Sequence, residues 1–385
     1  MCGIVGAISE RKISRILLEG LKRLEYRGYD SAGIALLSER CDKLQQLRSV
    51  GKVRKLSDTV TKRKLQGTIG IAHTRWATHG KPSVKNAHPH SSQNEIAIVH
   101  NGIIENHELL RLRLTQIGYE FKTETDSEVI AHLIHQEKKN GKVSLLYSAI
   151  RALGKLKGAY GICAIDRLNR DQIIVARSGS PIVIGIGIGE NFIASDPLAL
   201  GHVTDRFIYL EEGDIAQVTR ESVKIWNKAQ QVSRPITTID SKLKDAQKGE
   251  YKHFMLKEIY EQPFVLKDTL DGRITARRVL EEAFGVKANE FFDKTKQVQI
   301  VACGTSFHAG LISKYWLESI AKIPCQVDIA SDYRYRDIIV EPGTLLVTIS
   351  QSGETADTLA ALRYAKKLNY TATLAVCNVA TSSLV

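Results

Sequence analysis

The chain has 385 residues, 43% apolar and 25% charged, an ordinary soluble composition long enough for two or three domains with separate cores. Its formal net charge is +12, but runs such as Lys62-Arg63-Lys64 and Lys366-Lys367 are short and aromatics are only 6%, so a solvated basic surface suited to small anions is favoured over a nucleic-acid site. Six cysteines, at 2, 41, 163, 303, 325 and 377, form no CxxC or paired framework, and Glu10, Arg11 and Lys12 cut the first apolar run too short for a signal peptide; reduced thiols, a cytoplasmic location and no membrane span are expected.

The chain opens Met1-Cys2-Gly3-Ile4-Val5-Gly6-Ala7-Ile8. Removal of Met1 would leave Cys2 as the terminus. Its thiolate could then attack a carbonyl, with its own α-amine, of reference pKa ~7.7–8.0, shuttling the proton. Ile4, Val5, Ala7 and Ile8 predict a buried strand. On that strand Cys2 could equally be an ordinary small buried residue. Apolar positions 13, 16, 17, 21 and 24 predict a helix, and a polar turn through Arg27 and Asp30 leads into a strand over 34–37. Strands are predicted at 44–50 and 68–72. The latter runs into His73-Thr74-Arg75-Trp76-Ala77-Thr78-His79-Gly80, which reads as a carboxylate-binding loop or as a polar strand end with one packed Trp. No spacing there or at His88-Pro89-His90 matches a two-His metal pattern, and neither metal nor cofactor is expected.

A strand over 96–99 meets His100-Asn101-Gly102. An Asn amide beside a Gly N–H offers the two donors of an oxyanion hole, although Asn-Gly also makes common turns. Helices are predicted at 105–117, 129–138 and 144–155. In Thr123-Glu124-Thr125-Asp126-Ser127-Glu128, Thr125 or Asp126 suits a helix cap, and Asp126 suits a substrate ammonium equally. From 158 to 227 the pattern becomes strands at 159–165, 173–176, 182–188, 192–194, 207–210, 215–218 and 223–226, which predicts a β-rich sandwich with helices outside.

MCGIVGAIS, LEYRGYDSAG, HTRWATHG, NAHPH, HNGIIEN and TETDSE, in this order, resemble the glutaminase domain of the glutamine–fructose-6-phosphate aminotransferase (isomerizing) family over residues 2–240. The resemblance implies an α+β N-terminal-nucleophile hydrolase sandwich of αββα layers. It implies Cys2 as nucleophile, Asn101 and Gly102 as oxyanion hole, and Arg75, Thr78 and His79 on the glutamine carboxylate. It implies Asp126 on the ammonium, Arg27 nearby, and Trp76 as a gate for ammonia.

The stretch 234–250 is polar and reads as an exposed linker. Residues 254–270 look helical, with Pro263 expected to break or kink them. Apolar runs at 298–302, 326–329, 345–349 and 372–376, with a helix over 307–321, predict a doubly wound parallel sheet. Two hydroxyl-rich loops, Cys303-Gly304-Thr305-Ser306 and Ser350-Gln351-Ser352-Gly353-Glu354-Thr355, fall at strand ends and open helices. They suit a phosphate site or plain helix capping. This part is similar to the sugar isomerase (SIS) domain of the same family, which implies Thr305, Ser306, Ser350, Gln351, Ser352 and Thr355 on the phosphate of fructose 6-phosphate. Domains are therefore expected at 1–240, 241–285 and 286–385, the last an incomplete SIS domain. The family's second SIS domain and its isomerisation residues have no counterpart in this sequence. Glutaminase activity alone, an open apolar sheet edge and homodimers of intact members are the corresponding expectations. The rival expectations are a sibling amidotransferase with another acceptor and a non-catalytic sugar-phosphate-binding regulator.

Overall fold

The computed structural model describes residues 2–38, 41–76, 80–141, 143–228, 230–238, 250–275, 277–285, 287–379 and 382–385. Two compact units are resolved, Met1–Gln247 and Lys248–Val385. In chain order the first contains β1 Gly3–Ser9, α1 Ser14–Arg23, β2 Ser31–Ser38, β3 Cys41–Val50, α2 Val53–Lys62, β4 Ile69–Arg75, β5 His90–Ser92 and β6 Ile96–Ile104. It continues with α3 His107–Gln116, α4 Glu128–Gly141, α5 Leu145–Leu153, β7 Gly158–Asp166, β8 Asn169–Ser178, β9 Val183–Ile186 and β10 Glu190–Ala194. The strands β11 Arg206–Tyr209, β12 Asp214–Val218, β13 Val223–Asn227, β14 Gln230–Val232 and β15 Ile236–Thr238 complete it.

These strands form two sheets. One has the order β15-β11-β9-β10-β1-β4-β2-β3, the other β14-β13-β12-β8-β7-β6-β5. Alternation along each strand sorts side chains between two burial environments. Ile4 and Ile8 of β1, Ile69 and Ile71 of β4, and Ala97 and Val99 of β6 fill the layer between the sheets. Val5, Ala7 and Ala72 face a second layer with Leu17 and Leu21 of α1 and Leu56 of α2. Ile96 and Ile98 face a third, with Val129, Ile130 and Leu133 of α4 and Leu145 and Ala149 of α5. The result is the expected αββα sandwich.

The same period carries the three inter-sheet stripes onward to Cys2, to His73 and Arg75, and to Asn101. Apolar stripes from both sheets thus turn polar together. β6 runs to Ile104 rather than stopping at Val99, and so corrects the turn alternative for Asn101-Gly102. Asn101 pairs with Gly161 and Gly102 with Tyr160 inside the ladder. Gly102 has φ +126°, and a Cβ there would lie 2.0 Å from the Ala159 carbonyl oxygen. Only glycine fits at that approach.

Two further expectations are corrected. The polar stretch from 234 is not linker at its start: β15 pairs with β11, and the Arg234 guanidinium forks onto Asp214 at 2.9 Å. Neither Thr125 nor Asp126 caps a helix. The Thr125 hydroxyl contacts Thr123 and His90, and the Asp126 carboxylate accepts from the Ile104 N–H. The loop is tied instead by Glu128, whose carboxylate accepts from the Lys122 and Thr123 N–H groups and the Thr123 hydroxyl. Helix α2, with Val53, Leu56 and Val60 buried, was not anticipated among the charges of that stretch.

The second unit begins with α6 Phe254–Leu270, which continues through Pro263, so of the expected break or kink the break is absent. None of its residues is buried, so water can solvate the carbonyl left without an N–H partner. Then follow α7 Ala288–Lys294, β16 Gln297–Ala302, α8 Gly304–Trp316 with a π-helical turn Leu317–Ala321, β17 Cys325–Ile329, α9 Ala330–Tyr333, β18 Thr344–Ser350, α10 Ala356–Ala365 and β19 Ala372–Cys377. The sheet order is β17-β16-β18-β19 and every pairing is parallel, as expected for a doubly wound sheet. Consecutive connections leave β16 in opposite directions, so a topological switch point lies between β16 and β18. Among the described residues no helix is long and apolar enough to cross a membrane.

Glu128 sets a stability prediction. Burial alone would raise its carboxyl, but His132 at 3.7 Å and the donors of Lys122 and Thr123 outweigh burial and hold it down to about 2, from 4.5. A depressed carboxyl contributes stability above its unfolded value and loses it as pH falls through the folded one. Glu128→Gln therefore lowers unfolding stability by about 1.5–3 kcal/mol at pH 7. That difference shrinks between about pH 4.5 and pH 2, as calorimetric unfolding of both proteins across that range will show.

Candidate active site

Where the three inter-sheet stripes turn polar, a small cavity forms. Cys2, Arg75, Trp76, Gly102 and Asp126 line it. The Cys2 Sγ accepts from the Trp76 N–H at 3.2 Å and donates to the Trp76 carbonyl at 3.5 Å. Burial pushes the thiol up; the Trp76 backbone, the charge of the chain-terminal amine and the Arg75 charge pull it down, and Asp30 adds to the rise, leaving it above its ordinary 9.0. The Asn101 amide Nδ2 donates toward the Cys2 carbonyl at 3.4 Å. Its Oδ1 faces the His73 Nε2 at 2.9 Å. Cys2 thus sits beside an amide donor and a glycine brought from the other sheet.

Arg75 is 3% exposed and donates to the Gly80 carbonyl at 3.1 Å. Asn86, from the NAHPH motif, bridges to the Lys81 carbonyl and to Glu124. Asp126 is also 3% exposed and holds the Ile104 N–H and the Ser127 hydroxyl. The Trp76 side chain is 54% exposed and lies over Gly28, whose added Cβ would come 3.0 Å from the ring. Thr78 and His79, and the side chain of Arg27, lie outside the described residues.

The sequence alone did not single out His88, His100, Thr125 and Ser127, which line the same cavity, or His73 behind it. The His73 and His88 rings lie tilted at 4.2 Å, and His88 and His90 meet edge-on at 4.3 Å. The available signal was the period-2 pattern from Ile69 and Ile71, which places His73 inside the sandwich. Burial pushes His73 and His90 down to about 3, so these rings are neutral. No cluster of three or more His, Cys, Asp or Glu among the described residues is arranged to hold a metal ion. A larger cleft, lined by Glu95, Tyr119, His135 and Lys138, lies away from this chemistry. Its Lys138 is compensated by Glu95 and Asp166, each at 2.6 Å.

In the second unit the two hydroxyl loops stand at the carboxyl ends of the adjacent strands β16 and β18. Thr305 and Ser306 occupy the first turn of α8, and Thr355 precedes α10. Ser350 Oγ accepts from the Gly353 N–H at 3.1 Å and lies 3.2 Å from the Thr355 hydroxyl. Ser352 Oγ accepts from the Glu354 N–H at 3.2 Å. Gln351 is exposed. The loops sit at the switch point, where open α/β sheets bind ligands.

Comparison with known proteins agrees with both halves. The Glutamine amidotransferase domain family matches residues 73–200, and the SIS domain family matches 291–385. Over its full length the chain is 58% identical to the glutamine–fructose-6-phosphate aminotransferase [isomerizing] of Pseudomonas aeruginosa and 55% identical to that of Legionella pneumophila. It is similar to members of that family along its whole length. The chain spans 63% and 64% of the length of these two relatives. Two solved structures share the fold. Glutamine phosphoribosylpyrophosphate amidotransferase from B. subtilis, complexed with ADP and GMP, aligns with a TM-score of 0.53 at 20% identity, covering 98% of this chain and 81% of that one. The allosteric regulatory enzyme of purine biosynthesis aligns with a TM-score of 0.54 at 22% identity, covering 98% and 80%.

Cys2 is partly exposed, yet its thiol is desolvated, which makes a direct prediction. Alkylation of Cys2 by iodoacetamide, followed by mass spectrometry of its peptide, reaches half its limiting rate above pH 9 in the folded chain. After denaturation the midpoint falls to about 8.5. A folded-state midpoint at or below the denatured one contradicts the burial assignment.

Proposed function

We propose that the protein hydrolyses L-glutamine at Cys2 and, as part of a whole glutamine–fructose-6-phosphate aminotransferase, supplies the ammonia for making glucosamine 6-phosphate. The carrying observation is the approach of Cys2 on one sheet to Asn101 and Gly102 on the other. Its support is 58% identity to a relative of that name.

The chemistry follows from the residue types. With Met1 removed, the Cys2 α-amine takes the thiol proton, and sulfur attacks the glutamine δ-carboxamide carbon. Negative charge develops on the amide oxygen, where the Asn101 Nδ2 and the Gly102 N–H stabilise it. The α-ammonium returns its proton to the leaving nitrogen, the C–N bond breaks and ammonia departs. Water, deprotonated by the same amine, hydrolyses the thioester to glutamate and frees the thiol. Arg75, Thr78 and His79 hold the substrate carboxylate and Asp126 its ammonium, with Arg27 nearby; Trp76 gates ammonia release. No cofactor enters these steps. In the second unit Thr305, Ser306, Ser350, Gln351, Ser352 and Thr355 bind the sugar phosphate through hydroxyl, amide and helix N-terminal donors. A cytoplasmic location and assembly of the whole protein as a homodimer through its SIS domains complete the reading.

Two experiments test it. The purified chain releases glutamate from glutamine, and Cys2→Ala abolishes release. Asn101→Ala lowers kcat by about 10²–10³-fold with KM nearly unchanged. Release that survives Cys2→Ala removes the proposed nucleophile. In isothermal titration with fructose 6-phosphate, Thr305→Val weakens binding by about tenfold or more, as expected for a lost hydrogen bond to a charged group. Unchanged affinity takes Thr305 out of the phosphate site.

A further inference from the structure

We propose that His73 is a positioning residue for the oxyanion hole: its imidazole N–H reaches from one sheet to the other and fixes the Asn101 amide with its NH2 group toward Cys2. This rests on the glutaminase function proposed above and adds to it a residue outside the substrate cavity.

The argument begins with an ambiguity in the asparagine. An amide can present its oxygen or its NH2 group to a given side at little geometric cost, and only its hydrogen-bond partners decide. In one orientation Asn101 offers Cys2 a donor. Rotated by half a turn it offers an acceptor, which would repel a developing oxyanion. Something must therefore choose.

His73 makes the choice. Its Nε2 lies 3.1 Å from the main-chain carbonyl oxygen of His100 and 2.9 Å from the Asn101 side chain. A main-chain carbonyl only accepts, so Nε2 must carry the proton. A protonated Nε2 can be met by Asn101 only through Oδ1, and Nδ2 is left to point toward Cys2, where it is found, 3.4 Å from the Cys2 carbonyl. The other ring nitrogen, Nδ1, is buried with no hydrogen-bond partner, as suits the bare nitrogen of a neutral ring. The ring is fully buried and faces His88 at 4.2 Å. Burial, the largest influence, and the nearby Arg75 charge disfavour a second proton, so the ring stays neutral, with its one proton held on Nε2 by the His100 carbonyl.

Placement supports the same role. His73 extends the inter-sheet stripe of Ile69 and Ile71 on β4, and Asn101 extends that of Ala97 and Val99 on β6. The bond thus joins the sheet carrying Cys2 to the sheet carrying the oxyanion donors, at the level of the reacting atoms.

The test combines a double-mutant cycle with a tautomer measurement. His73→Leu and His73→Phe remove the donor, and the Phe variant keeps a flat ring against His88. His73→Gln retains an N–H donor of similar reach. The expected outcome is a kcat loss of about 10²-fold for the Leu and Phe variants, comparable to removing an oxyanion donor, with KM changed less than about threefold. Affinity for glutamate γ-semialdehyde, whose adduct with the thiol places an oxygen in the hole, falls by a similar factor, while affinity for glutamate does not. The Gln variant recovers most of the loss. In the Asn101→Ala background, His73→Leu costs nothing further, because it acts only through that amide. Multiplicative losses in the double variant, a loss borne by KM, or equal weakening of aldehyde and glutamate binding would each overturn the proposal. Should the donor-free variants not fold, ¹⁵N NMR of the unaltered protein decides: a single Nε2–H tautomer of His73 without titration from pH 5 to 8 is expected, and an Nδ1–H tautomer or an imidazolium refutes it. Active unaltered enzyme with an indifferent His73→Leu sinks this proposal alone. Unaltered enzyme that releases no glutamate sinks the proposed function, while the tautomer still reports on His73.

Discussion

Everything in the first unit depends on the packing of one sheet on another. Face-to-face sheets stand about 10 Å apart, a distance set by the interdigitated side chains between them. Cys2 sits at the end of β1 on one sheet, and Asn101 and Gly102 lie in β6 on the other. No single strand or loop carries both the proposed nucleophile and the proposed oxyanion donors. Ile4, Ile8, Ile69, Ile71, Ala97 and Val99 set the gap, and the site opens where these stripes give way to Cys2, His73, Arg75 and Asn101. Core packing and site geometry are here one constraint. A change of volume among those isoleucines would be felt as a shift of Cys2 relative to Asn101, because protein interiors are too closely packed to absorb it.

A polar cluster inside such a core is costly unless its members satisfy one another. The members around Asn101 and Asp126 meet that condition by linking to one another, whereas both ring nitrogens of His88 are buried without a hydrogen-bond partner among the described residues. His73 bridges to Asn101 and the His100 carbonyl, the His100 ring contacts the Ser127 hydroxyl at 2.8 Å, and Ser127 donates to Asp126. Asp126 in turn holds the N–H of Ile104, three residues past Asn101 on β6. The oxyanion side and the acidic side of the cavity therefore share one hydrogen-bonded frame. Glu128 anchors the loop that carries Asp126 by gathering the donors of Lys122 and Thr123. Keeping His73, His88 and His90 neutral is part of the same economy, since burial disfavours a charged imidazole there.

The legibility of this molecule in its sequence followed the strength of local patterns. The alternating strands β1 to β4 and β6 to β13 and the parallel runs of the second unit could be read because each buries a regular face, whereas the three-residue β5 was too short to show one. The strand β15 could not: Ile236, Thr237 and Thr238 are three exposed residues in polar surroundings, and only pairing with β11 makes them a strand. Helix α2 was hidden because Val53, Leu56 and Val60 are sparse among lysines and arginines. Pro263 does not end α6, because the carbonyl left without a donor lies on an exposed helix where water reaches it. At the site, Cys2, Arg75 and Asn101 carry chemistry visible in a motif. His73 carries none by itself. Its significance comes from standing opposite Asn101 across the gap, which is a fact of tertiary structure.

The state of the Cys2 thiol bears on how the proposed hydrolysis begins. Many catalytic cysteines are held as thiolates by a helix terminus or a neighbouring cation. Here burial dominates and the thiol lies above its ordinary value, despite the Trp76 amide and Arg75. A standing thiolate would be scarce near neutral pH. An α-amine on the same residue answers that difficulty, because its reference pKa of ~7.7–8.0 leaves it partly unprotonated where the thiol still holds its proton. The proton then moves within one residue as the carbonyl is attacked, and no charged thiolate waits in the cavity beforehand. Such a site gains little from cations around the sulfur and much from donors around the developing oxyanion. That is the balance of the proposed site, whose donors are Asn101 and Gly102, on a strand held to Cys2's own sheet through His73.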